Sequence, residues 1–199
     1  MQKAKVEHRY FLINKPFGVL SQFTGEPGDK LLGDLYEFPK DVYSIGRLDK
    51  DSEGLLILSN DNRLKTRLLD PRSKHGKTYI VQVEGDIHDL AIKELESGTI
   101  EISHNGKKHR VEKARCKKIT PPKLEERNPP IRYRANIPTS WIELTITEGK
   151  NRQVRKMTAA TGFPTLRLIR STIGKLTIDH LEGSIVRELT EKEISEALK

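Results

Sequence analysis

Short strands alternating with short amphipathic helices predict an α+β fold for this chain of 199 residues. Three observations carry that reading. Lys77 to Glu84, KTYIVQVE, places Tyr79, Val81 and Val83 on one face, and Trp141 to Thr147 does the same with Ile142, Leu144 and Ile146. Asn60 to Leu69 instead spaces Leu64, Leu68 and Leu69 as a helix does, with Arg63, Lys65 and Arg67 on its other faces. Asn105 and Gly106 form a strong hairpin turn pair.

The remaining elements follow in order. Tyr10 to Asn14, YFLIN, is apolar on both faces, as a strand buried on both sides is, and Lys15 and Pro16 stop it. In the Gly- and Pro-rich loop beyond it, Val19 to Phe23 reads as a short strand, and Leu31, Leu32 and Leu35 as a short amphipathic helix closed by Pro39. The turn GRLDKDSEG leads into the apolar strand Leu55, Leu56, Ile57, Leu58, and Pro71 stops the helix that follows. A helix from about Ile87 to Ser97 uses Leu90, Ala91 and Leu95 and ends at Gly98. Thr99 to Ser103 and His109 to Cys116 read as the two arms of the hairpin. Residues 120–139 hold Pro121, Pro122, Pro129, Pro130 and Pro138 with Arg127, Arg132 and Arg134 between them, which predicts a long surface loop, either a floppy insertion or a substrate-binding arm. Asn151 to about Thr161 is a helix with Val154, Met157 and Ala160 inward. Thr165 to Ile169 and Gly174 to Ile178 are strands, and Thr190 with Glu193 makes a capping box for a last helix.

Charge narrows the partner. Thirty-six Lys and Arg against 28 Asp and Glu give a net charge of +8, which favours a polyanion, nucleic acid first. Cys116 is the one cysteine, so neither an intramolecular disulfide nor a cysteine zinc cluster can form. No apolar run approaches the roughly 20 residues that span a bilayer, and the charged start lacks a secretory segment. A soluble cytoplasmic protein is expected. The first turns of the Asn151 helix hold Arg152, Arg155 and Lys156, although a helix start favours acids. Cations added to a helix N-terminus make an anion site, which locates the charge better than the net balance does.

The turn between Gly46 and Gly54 presents a carboxylate at the lip of a buried strand, as active-site loops do. Asp49, Asp51, Glu53 and Gly54 match the opening of an EF-hand calcium loop, but its twelfth position is Asn60 rather than Glu and a strand replaces the second helix. The six histidines sit in no nucleophile motif, and neither a Walker A loop nor a dinucleotide fingerprint occurs. No metal or nucleotide cofactor is implied.

Five stretches in order, NKPFGVLSQF from Asn14, GRLDKDSEGLLILSND from Gly46, KTYIVQV from Lys77, GKNRQVRKM from Gly149 and LRLIRSTIGKLTID from Leu166, resemble the motifs of the bacterial ribosomal-RNA pseudouridine synthases. The group is the one typified by the small-subunit enzyme, and PIRYRANIPTSW, Pro130 to Trp141, looks most like its E-type large-subunit branch. The resemblance implies a mixed, mostly antiparallel sheet in two lobes with a central cleft, and a single catalytic domain over residues 1–199 with the lobe boundary near 70–80. Most relatives carry a small RNA-binding domain ahead of the first motif. Only 13 residues precede Asn14 here, so the basic helix and Pro-rich loop are expected to supply more of the grip on RNA.

The resemblance also assigns roles. Asp49 matches the catalytic aspartate, whether it attacks the sugar or base or takes a proton from the sugar; either route needs it ionised, and Arg155 matches the basic residue that keeps it so. Tyr79 matches the tyrosine that stacks on the target base. Arg47 matches a position that fills the gap left by a flipped base, and Leu168 an apolar wall of the base pocket. Arg152 and Lys156 at the basic helix, with Lys15 and Arg170, are expected to meet RNA phosphates. The implied reaction isomerises a uridine of ribosomal RNA, most simply 23S, without a cofactor, in a monomer. A non-catalytic rRNA-binding or ribosome-assembly factor on the same fold is the alternative. Against it stands Asp49, since a carboxylate facing RNA repels phosphate and serves a pure binder nothing.

Overall fold

The computed structural model describes residues 7–131, 134 and 136–198. The chain forms two compact units: one runs to Ser73 and resumes at Gly174, the other is Lys74–Ile173.

In the first unit, β1 (Tyr10–Lys15) is the middle of an antiparallel set. It pairs on one side with β3 (Glu53–Ser59), which itself pairs with β2 (Tyr43–Ile45). Phe11, Leu12, Ile13, Leu55, Leu56 and Leu58 are fully buried, so both faces of β1 and β3 are covered, as the YFLIN and LLIL runs predict. Each such side chain contributes roughly 1.5–3 kcal/mol when buried. Phe11, Ile13, Leu56 and Leu58 pack with Val19, Leu32 and Val42. The helix α1 (Asn62–Leu69) is capped by Asp61, whose carboxylate accepts from the Arg63 and Leu64 amides.

Several expectations fail here for identifiable reasons. Val19 to Phe23 forms one bridge, Val19 to Lys30, and no strand. The Leu31 to Leu35 helix shrinks to a 3-10 turn, Leu32–Asp34, because the Asp34 carboxylate takes the Leu31 amide at 2.7 Å and closes the turn early. β2 escaped the sequence reading because three residues are too few to show a period.

In the second unit, β4 (Lys77–Glu84) occupies the predicted residues, with Tyr79, Val81 and Val83 buried. α2 (Asp89–Ser97) ends at Gly98, which is left-handed at φ 69°. Leu90 is not on its buried face: it is 73% exposed, while Ala91 and Leu95 are buried. β5 (Glu101–His104) and β6 (Lys107–Arg110) form the hairpin across Asn105–Gly106, both with positive φ. The second arm stops at Arg110 and β7 (Arg115–Ile119) is a separate strand. The cause is Glu112, whose amide bonds the Glu148 carboxylate instead of a ladder partner. β8 (Thr139–Ile146) follows residues 120–138, which carry no helix or strand among the described residues; Arg132, Tyr133 and Ala135 lie outside those. α3 (Gln153–Ala160) buries Val154 and Met157 as expected, but Gln153 and Thr158 in place of Ala160. β9 (Thr165–Ile173) is longer than predicted, and the strand order is β9-β4-β8-β7, all antiparallel.

Back in the first unit, the expected Gly174 to Ile178 strand is cut to β10 (Leu176–Thr177). The His180 ring accepts from the Thr177 amide and starts a 3-10 turn, Ile178–Leu181. β11 (Val186–Leu189), unseen in the sequence, pairs with β1, and α4 (Glu191–Ala197) carries the predicted Thr190–Glu193 capping box.

Candidate functional site

Two candidate residues of the first unit, Arg47 and Asp49, lie on the turn between β2 and β3. Two glycines make that turn possible, Gly46 at φ 75° and Gly54 at φ 102°. Inside it the Ser52 amide donates to the Asp49 carbonyl at 3.0 Å. From outside, buried Ser21 holds both ends of Leu48: its hydroxyl donates to the Leu48 carbonyl at 2.8 Å and accepts from the Leu48 amide at 3.0 Å. The Gly18 amide donates to the Lys50 carbonyl at 2.8 Å. Asp49 is thus flanked on both sides by residues whose backbone is fixed. Its side chain is half-buried and that of Arg47 is exposed.

Lys15 requires a correction. It is fully buried, and its ammonium donates to the carbonyls of Pro16 at 2.9 Å and Val19 at 2.7 Å. A cation committed to backbone inside the unit does not meet RNA phosphates. Because Lys15 faces Gly54 across β1 and β3, it braces the end of the Asp49 turn.

In the second unit, Tyr79 and Arg170 are cross-strand partners on β4 and β9, and Leu168 faces Val81 two positions along. A bulge between Thr78 and Tyr79 interrupts the ladder beside the tyrosine, the kind of irregularity that re-aims a side chain. Tyr79, Leu168 and Arg170 are each less than 8% exposed. Arg170 is thus placed beside Tyr79 within the strands. Sequence reasoning missed Lys77, on the same face of β4 as Tyr79. Burial, and then the charge of Arg170, pushes its ammonium below the ordinary lysine range. Its signal was legible as the position two before Tyr79 in an alternating strand. A ring beside two cations suits a nucleotide, the ring for the base and the charges for its phosphate.

Arg152, Arg155 and Lys156 sit where α3 begins. Arg152 is exposed and left-handed at φ 53°, with no side-chain cap. Arg155 is half-buried, its guanidinium donating to the Thr165 carbonyl at 3.3 Å, and Thr158 and Thr165 share a hydroxyl bond of 2.7 Å. These contacts tie α3 to the start of β9. Lys156 donates to the Ser103 carbonyl at 2.7 Å, which ties the helix to the β5–β6 hairpin. Glu148, also missed, has a half-buried carboxylate that burial alone would push up; the Glu112 amide, His109 and Gln153 outweigh this and hold it below the usual carboxylate range. Its partner His109 lies 39 residues away, a separation that carries no sequence signal.

The family described as RNA pseudouridylate synthase matches residues 9–160 of the chain. Ribosomal large subunit pseudouridine synthase E of Vibrio parahaemolyticus is 47% identical over 181 residues, covering 91% of this chain and 74% of that protein. The protein so named in Xanthomonas axonopodis is 49% identical over 173 residues, 85% of this chain and 88% of that one. Among solved structures, a crystal structure of pseudouridylate synthase superposes with a TM-score of 0.74 at 26% identity, over 96% of this chain and 74% of that one. The α+β pseudouridine synthase fold expected from the sequence is the fold observed.

Proposed function

We propose that this chain, which belongs to the RNA pseudouridylate synthase family, isomerises a specific uridine of ribosomal RNA, in 23S rRNA or its precursor, to pseudouridine. The observation that carries the reading is the placement of Asp49: a half-buried carboxylate on a turn fixed by Ser21, Gly18 and two left-handed glycines. Such rigidity suits a group that must meet a reacting atom in one geometry. The large-subunit substrate is supported by the names of relatives that match 85% of this chain or more.

In this reading Asp49 is the catalytic residue, and Arg155 carries the basic role that the family gives its position. Tyr79 stacks on the uracil, with Leu168 as apolar wall and Arg170 and Lys77 as cations for the nucleotide. Arg47 fills the gap in the RNA, and Arg152 and Lys156 meet phosphates at the start of α3. Extruding a uridine costs about a few kcal/mol. One aromatic stack returns about 1–3 kcal/mol, so flipping is nearly balanced. The glycosidic bond from N1 then breaks, the uracil turns, and C5 bonds the sugar, losing its proton while N1 gains one. The protein acts as a monomer in the cytoplasm; among the described residues no helix is long and apolar enough to cross a membrane.

Carbodiimide mapping of pseudouridines in rRNA from cells lacking this protein tests the reading. One large-subunit site should vanish, return with the wild-type gene and stay absent with Asp49→Asn. Survival of every site after deletion rejects it. In vitro, Asp49→Asn should lose roughly 10⁴-fold or more in rate, the scale for an essential catalytic group. It should still bind RNA with a steep salt dependence, because phosphate contacts dominate affinity.

A further inference from the structure

α3 begins in an unusual way. Its N-cap is an arginine, left-handed at φ 53° and making no side-chain cap. A non-glycine residue in that region costs on the order of 1–2 kcal/mol, so the surroundings must impose it. The imposing group is Gln153, the first residue of the helix and only 3% exposed. Its side-chain carbonyl accepts from the Lys150 amide at 2.9 Å, spanning the turn that contains Arg152. Its side-chain amide donates to Glu148 at 2.7 Å. Glu148 in turn accepts from the Glu112 amide at 2.8 Å and pairs with the His109 ring at 2.8 Å. A backbone conformation at the base of α3 is thereby tied, through two side chains, to the β5–β6 hairpin and the segment after it. Lys156 to Ser103 is a second tie between that helix and that hairpin.

An ordinary cap needs only a Ser, Thr, Asp or Asn at residue 152. Here the cap position is given to an exposed arginine, and a buried amide paired with a half-buried carboxylate holds the turn instead. The arrangement lets the helix start present Arg152 outward while its rotation, and so the direction of Arg155 one turn in, stays fixed from both sides. Thr158 and Arg155 hold the β9 side, and Gln153, Glu148 and His109 hold the hairpin side.

We propose that Gln153 and Glu148, braced by His109, are positioning residues for uridine isomerisation that set the direction of Arg155 without touching the RNA. The proposal rests on the function inferred above. Single-turnover pseudouridine formation in unmodified 23S rRNA transcript, with enzyme in excess, tests it, read beside the Kd for that RNA and the melting temperature. The variants are Gln153→Leu, Gln153→Glu, which sets two carboxylates against each other, and the swap Glu148→Gln with Gln153→Glu, which restores an amide–carboxylate bond. Misplacement by about 1 Å costs up to 10²-fold. Both single variants should therefore slow the saturated rate about 10- to 100-fold with less than about threefold change in Kd, and the swap should recover at least about half of that loss on a logarithmic scale. If Gln153→Leu does not fold, Gln153→Glu and the swap decide. Folded single variants with the wild-type rate, or a swap no faster than Gln153→Glu, overturn the proposal. A wild type that forms no pseudouridine in this RNA overturns the functional reading instead, and this proposal with it.

Discussion

The turn that carries Asp49 and the helix that carries Arg155 are held by different kinds of contact. Around Asp49 the fixing groups include backbone amides and carbonyls, two glycines and one buried hydroxyl, the longest of these links being Gly18 to Lys50, 32 residues apart. Around Arg155 they are long polar side chains, and His109 to Glu148 spans 39 residues. Backbone contacts to a short loop leave few ways to fail, but each one matters. A side-chain network spreads the same task over more groups and couples it to a distant hairpin. Substitutions should accordingly be severe and local in the first region, graded and mutually compensating in the second.

Ser21→Ala is the hardest blow to the first region. It removes both hydrogen bonds to Leu48 and leaves that residue's buried amide and carbonyl unsatisfied. An unsatisfied buried group costs about 1–3 kcal/mol, so the protein should lose about 2–4 kcal/mol in urea unfolding. The saturated rate should fall by more than a wild type weakened to the same extent by a distant core substitution such as Leu95→Val. Equal rates at equal stability would mean that Ser21 holds the fold and not the turn. Thr at position 21 retains the hydroxyl and should restore most of both losses.

This division also explains what could be read from the residues. The Asp49 turn, Tyr79 and the basic start of α3 were legible because each is a local pattern: glycines around acids, an alternating strand, cations where acids belong. The elements that failed were decided by single polar contacts that no period shows, some from a remote partner and some from a side chain three or four residues away. His109 to Cys116 reads as one strand, and only the capture of the Glu112 amide by Glu148 breaks it. Leu90 follows the apolar spacing yet stays exposed, because Ala91 and Leu95 already define the buried face. Lys15 looks like a surface cation after a strand, and its burial depends on the carbonyls of Pro16 and Val19 folding back over it.

Tyr10→Phe separates stability of the first unit from its turn. The buried Tyr10 hydroxyl donates to Asp61 at 3.2 Å, and burial followed by that carboxylate pushes the phenol up to about 12. Below the ordinary value of about 10, both folded and unfolded chains keep the proton and the contribution is whole. Between pH 10 and about 12 the unfolded chain releases it first, so stability is lost as pH rises. Wild-type urea midpoints should drop more steeply over that window than those of Tyr10→Phe, which at neutral pH is about 1 kcal/mol less stable. Activity at neutral pH should be unchanged, because Tyr10 pairs with Ser59, at the opposite end of β3 from the Asp49 turn. Parallel midpoint curves for the two proteins would deny the phenol this role.

The smallest effect is expected at Cys116, which tests whether every buried group of the second unit belongs to its network. The thiol lies on β7 opposite Leu144, and burial, with the nearby Glu96 carboxylate adding to it, pushes it up to about 12. At pH 8 almost none of it is thiolate, the form that reacts. Iodoacetamide should leave the native protein unlabelled by mass spectrometry and fully active, and should label it once in urea. Cys116→Ala should cost about 1 kcal/mol from lost packing and leave the rate intact. A rate that falls with Cys116→Ala would extend the positioning network across β8 to the edge strand. An unchanged rate confines it to the side chains of His109, Glu148 and Gln153 that grip the start of α3.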